Sequence, residues 1–159
     1  QTNSSLIVDY QGVDENGKTK FAMWVGLNLP CCSTFFPIFD LDGIPAILNG
    51  AGGKYDTEHL WWQLERMKLG IEANYNKYIE LWRPYQRYFD GKGSLLAVEV
   101  EKQKLGKEER TEKLADLLNE IYEACVNVYS QIEKDLESGA PVEEHRALYL
   151  ESLKNKYMR

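Results

Sequence analysis

The chain has 159 residues, a single-domain length, with 43% hydrophobic and 28% charged residues, shares ordinary for a globular protein. Its net charge of −6 and pI near 5.0 exclude the basic footprint of nucleic-acid binding, and no apolar run approaches the roughly 20 residues of a membrane helix. Cys31, Cys32, Cys125, His59 and His145 lack the spacing of a zinc site or a disulfide framework, so buried free thiols and solvent-facing helix histidines are expected.

Residues 4 to 10, SSLIVDY, are rich in β-branched and aromatic side chains and predict a strand. Gly12 to Lys18 carries turn chemistry, with Asn16-Gly17 suited to positive φ. Residues 19 to 27, TKFAMWVGL, predict the return strand of one antiparallel hairpin. An isolated hairpin is marginal in water and leaves two open edges. Its partner strands are therefore expected from another segment of the same precursor or another subunit. No signal-peptide pattern is present, and Gln1 in place of Met suggests a trimmed or processed piece.

Residues 28 to 54 read as a long irregular link, because Pro30, Pro37 and Pro45 forbid a regular helix. The cluster Phe35, Phe36, Ile38 and Phe39 says that this link is packed down. Asn49 to Gly53, NGAGG, reads as a flexible turn; no Lys-Ser/Thr pair follows it, as a phosphate loop would require.

From Thr57 to Phe89 one long amphipathic helix is expected. Leu64, Met67, Ile71, Tyr75, Tyr78, Trp82, Tyr85 and Phe89 step by three or four and share a face. Asp56 or Thr57 is the expected cap. Pro84 should kink the last turn or start a new segment, and Gly91 and Gly93 should stop the helix. Ser94 to Lys104 is ambiguous between strand and helix. Glu108 to Ser138 predicts a second long helix, with Leu114, Leu117, Leu118, Ile121, Cys125, Val128, Ile132 and Leu136 as its buried stripe. A last helix is expected from Val142 to about Tyr157. The chain thus divides into a hairpin and packed link, 1–54, and a helical region, 55–159, together a fragment of one larger domain.

Chemistry is sparse. No HExxH, GxSxG or paired CxxC motif occurs, and most carboxylates neighbour lysines on helix faces, as solvated pairs do. The residues alone support an α+β piece with a helical C-terminal half. No cofactor and no metal are implied.

The order of several short motifs adds a resemblance. Thr2-Asn3-Ser4-Ser5 opens a strand. Trp24-Val25-Gly26-Leu27, Pro30-Cys31-Cys32 and Phe36-Pro37-Ile38-Phe39 follow. Trp61-Trp62 begins a long helix. This series, over roughly residues 2 to 90, resembles the C-terminal part of the N-terminal-nucleophile hydrolases of the secreted dipeptidase type, relatives of the acyl-coenzyme A:6-aminopenicillanate acyltransferase-like enzymes. The resemblance implies a four-layer αββα sandwich to which the hairpin contributes. It also implies a catalytic cysteine at the start of the mature chain, with its own α-amino group as base, attacking an amide carbonyl over an oxyanion hole.

Residue 1 here is Gln, and Cys31 and Cys32 lie where the family does not keep its nucleophile. The resemblance therefore implies a nucleophile upstream, in a partner segment of the same precursor, and no catalytic residue in this chain. Ser4 and Ser5 are candidates for lining the substrate pocket, set against a plain strand start bonded to backbone. Asn28 either donates to an oxyanion or closes its turn. A small amide or peptide substrate, hydrolysis or acyl transfer, and export from the cell follow from the family. A homo-oligomer stays open. The alternative is a non-catalytic helical module whose long helices offer a binding face. Asn3-Ser4-Ser5 also fits a glycosylation sequon.

Overall fold

A computed structural model describes residues 4–50 and 55–142. The hairpin forms as expected. Strands β1 (Ser4–Val13) and β2 (Thr19–Leu27) pair antiparallel, in a register that sets Ser4 against Leu27 and Val13 against Thr19. The register shifts between Tyr10 and Gly12, where Gly12 takes φ +94°, the left-handed backbone that a bulge asks of glycine. In the turn, the Asp14 carboxylate accepts from the backbone N–H groups of Asn16 at 2.8 Å and Lys18 at 2.9 Å.

The link is not wholly irregular. Phe35–Ile38 forms a third strand, β3, antiparallel to β2, in a sheet of order β1-β2-β3, so the partner of the β2 edge comes from this chain and not, as expected, from another segment or subunit. Pro37 sits opposite Trp24. It is tolerated because β3 is an edge strand whose outer N–H has no ladder partner to lose. Tertiary pairing has here overridden a proline-rich local pattern.

The helix expected over 57–89 is two helices. The first, α1, spans Leu60–Ala73 and the second, α2, spans Tyr75–Gln103. Asn74 breaks them apart with φ −151° and ψ 87°, and its side chain accepts from the Lys77 N–H, as a residue suited to N-capping does. Pro84 lies inside α2, so it marks neither a boundary nor the break. Gly91 and Gly93 do not end the helix either; it runs on through the ambiguous segment to Lys104, in left-handed conformation at φ 52°.

Gly93 has another role. A Cβ there would lie 3.2 Å from Pro37 Cδ and 3.3 Å from the Phe35 carbonyl oxygen, so its bare backbone lets α2 lie close against β3. Asp90 fixes the same contact by accepting from the Phe35 N–H at 2.9 Å.

The third helix, α3 (Lys107–Glu137), matches its predicted span to within a residue at each end. Leu114, Leu117, Leu118, Ile121, Cys125, Val128 and Ile132 of its stripe are buried, and Leu136 packs half-buried against them. Helix α3 packs on both α1 and α2. At Gly70 of α1 a Cβ would fall 3.2 Å from Ile132 Cγ2, so this glycine too marks a close approach.

The architecture is α+β: a three-stranded antiparallel sheet joined through β3 to three packed helices. No described helix is long and apolar enough to cross a membrane. The helix expected from Val142 to Tyr157, with His145 on it, lies outside the described residues apart from Val142, as do Thr2, Asn3 and most of the Asn49–Gly53 turn. His59 is corrected. It is buried, at 5% exposure, because its imidazole Nδ1 caps α1 by accepting from the Trp61 N–H at 3.2 Å, the task expected of Asp56 or Thr57.

Candidate functional site

One rim of the sheet gathers the residues singled out from the sequence. The ladder places Ser4 beside Leu27 and Ser5 beside Gly26, so both serines lie across from the strand end that leads into Asn28. Ser4 is exposed and Ser5 half-buried. Asn28 leaves β2 with φ +72°, a left-handed backbone that Asn tolerates better than most residues. It is 2% exposed.

The Asn28 side chain is fully oriented. Its Oδ1 accepts from the Leu29 N–H at 2.8 Å, and its Nδ2 donates to Glu65 Oε2 at 2.6 Å. The other Glu65 oxygen accepts from Lys68 Nζ at 2.6 Å. Lys68 and Glu72 are both buried. About two turns of α1 therefore hold a strip of charge, Glu65, Lys68 and Glu72, against the loop that leaves β2.

Such a strip is costly to desolvate and persists only while its members remain paired and hydrogen-bonded. It was not visible as a site in the sequence, where carboxylates beside lysines read as solvated pairs. A signal was nonetheless present. Glu65, Lys68 and Glu72 are spaced by three and four, and they flank the stripe of Leu64, Met67 and Ile71 on its buried side.

The loop beyond Asn28 is short and fixed. Pro30–Cys32 makes a single 3-10 turn, closed by the Cys32 N–H donating to the Leu29 carbonyl at 2.9 Å. Gln86 of α2 clamps it by donating to the carbonyls of Cys31 at 3.2 Å and Ser33 at 2.6 Å. Cys31 is exposed and Cys32 buried. Burial and the adjacent Cys31 push the Cys32 thiol well above the usual range, and Glu72 adds to this while Lys68 opposes it.

Chemically, the rim offers two serine hydroxyls and an amide held by a carboxylate. Among the described residues no three or more His, Cys, Asp or Glu side chains come together as a metal site. A groove of about 620 Å³ runs between Phe21, Trp24, Pro37 and Val98, but it lies towards the hairpin turn, at the other end of β2 from Asn28. Comparison of the chain with protein-family models, curated proteins and solved structures finds no match.

Proposed function

We propose that this chain is the C-terminal part of a cysteine-dependent amide-bond hydrolase, of the peptidase, amidase or acyltransferase-like kind. Its nucleophile resides in a segment of the same precursor that completes the sheet. The observation carrying this reading is β1. Leu6, Ile7 and Val8 are consecutive and therefore alternate between the two faces of the sheet, yet they are 58%, 50% and 55% exposed, and Tyr10 and Val13 are more exposed still.

A strand apolar on both faces is suited to the interior of a sheet covered on both sides. Its outer edge carries Asp9 as its one charge and no proline or lysine, the devices that keep edges from pairing. A layered αββα sandwich supplies both the missing neighbour strand and the second apolar layer. Under this reading Ser4 and Ser5 line the substrate pocket. The Glu65–Asn28 pair sets the loop beside them, and this chain by itself turns over nothing.

The test is reconstitution. Co-expression with the preceding coding segment should yield a complex that hydrolyses dipeptides or acylated amines, and replacing that segment's leading cysteine with alanine should abolish the activity. Clean amide turnover by the 159-residue chain alone would overturn the reading. A stable complex that hydrolyses nothing would favour the interaction module instead.

A further inference from the structure

Two thiols with no place in the proposed chemistry stand side by side on the loop between β2 and β3. The Cys31 and Cys32 sulfurs are 3.8 Å apart. One is exposed and the other buried, so a solution oxidant meets Cys31 first while its partner waits within reach. Tyr75, at the start of α2, stands against the Cys31 thiol; burial first, and then that thiol, raise the phenol's pKa.

We propose that Cys31 and Cys32 are a redox-modifiable pair, converted by an oxidant of the hydroperoxide class into a vicinal disulfide within the chain and restored by a small dithiol. The Cys31 sulfur attacks a peroxide oxygen. The O–O bond breaks, Cys31 becomes a sulfenic acid, and the departing oxygen takes the Cys31 proton and leaves as the alcohol, or as water when the oxidant is hydrogen peroxide. The Cys32 sulfur then attacks the Cys31 sulfur and displaces hydroxide, which takes the Cys32 proton and departs as water. The thiols lose two electrons and the peroxide gains them.

Geometry makes the product labile. A disulfide requires the sulfurs to close by about 2 Å. Neighbouring Cα atoms across a trans peptide are about 3.8 Å apart, below the roughly 4.4 Å at which unstrained disulfides begin. The ring therefore closes only if the Cys31–Cys32 peptide twists, and strained, exposed disulfides are the readily reduced ones. That twist carries the Cys31 carbonyl away from Gln86, so oxidation loosens the clamp between this loop and α2. Cys125, wholly buried in α3, serves as an internal reference thiol.

The experiment treats the native chain with graded hydrogen peroxide, alkylates the remaining thiols and weighs the peptides. The expected product has lost both thiol hydrogens within the peptide holding Cys31 and Cys32, leaves Cys125 alkylated, and reverts with dithiothreitol. Cys32→Ser should divert Cys31 to higher oxyacids or to intermolecular dimers. Gln86→Ala should speed disulfide formation several-fold. Wild-type Cys31 that accumulates as sulfinic acid, or that cross-links two chains while Cys32 remains alkylatable, would overturn the proposal. So would a pair that stays reduced at peroxide levels that oxidise a free peptide of the same sequence. None of these readouts depends on hydrolase activity, so the proposal stands or falls apart from the functional reading.

Discussion

Helix α1 and strand β1 are both rich in apolar side chains, and they meet opposite fates. On α1, Leu60, Leu64, Met67 and Ile71 are at most 2% exposed, whereas Leu6, Ile7 and Val8 on β1 are half exposed or more. The helix buries its stripe against α3 and the loops. The main partner of the strand is β2, and the strand's apolar side chains stay largely exposed. Burial of such side chains contributes about 1.5–3 kcal/mol each, so the helix gains from packing within this chain a stabilisation that the strand does not.

Lys68 gives the largest expected separation between the two regions. Its ammonium is the buried partner of Glu65 beside a second buried carboxylate, Glu72. Lys68→Ala should cost about 3–5 kcal/mol, measured as a shift in the urea midpoint of the isolated chain. The substitution should also release Asn28 from its fixed orientation, because Glu65 would lose the cation that holds it. A loss under about 1 kcal/mol would mean that the strip is solvated and that the rim is not built around it.

Next in size is a matched pair of truncations. Met67→Ala removes a fully buried side chain and should cost about 2–5 kcal/mol. Ile7→Ala, at 50% exposure, should change the stability of the isolated chain by no more than about 0.5 kcal/mol. With the complementary segment present, Ile7→Ala should weaken the complex markedly while Met67→Ala keeps its cost unchanged. Equal effects of the two in the isolated chain would erase the contrast on which the functional reading rests.

The same contrast explains what could be read from the sequence. Helix α3 was legible because one uninterrupted stripe runs its whole length, and a helix packed on two neighbours obeys its own period. The α1–α2 break was not legible from periodicity, since Ile71 to Tyr75 is still a step of four. Only Asn74, an N-cap residue type inside the pattern, marked it. The glycines misled because glycine at 93 is there for contact with Pro37 and Phe35, which belong to a strand far away in sequence. Strand β3 was hidden by Pro37, which an edge position tolerates. At the rim, the closeness of Ser4 and Asn28 follows from hairpin pairing. The burial of Asn28 does not, because it depends on Glu65 arriving from a helix 37 residues away.

The last expected effect probes the helical body where α2 meets α3. The Tyr78 hydroxyl donates to Asp135 Oδ2 at 2.6 Å, and Lys77 pairs with the same carboxylate. Burial, then the hydrogen bond to Asp135 and its charge, push the Tyr78 phenol up to about 12 from its ordinary 10.0. The folded chain thus keeps this proton where the unfolded chain has lost it, so the contribution is intact below pH 10 and disappears as the pH rises towards 12. The hydrogen bonds from Lys77 and Tyr78 hold the Asp135 carboxyl below its usual range. That contribution is present above the unfolded carboxylate value and is lost as the pH falls through the folded one. Tyr78→Phe should therefore flatten the alkaline limb of the stability profile and weaken the acid limb, with Asp135→Asn removing more of the latter. Because this hydrogen-bonded group joins α2 to α3 and the main partner of β1 is β2, amide exchange in β1 should respond to pH alike in wild type and in both variants. Coupled changes in β1 would show the strand to be an integral part of the body and not its open border.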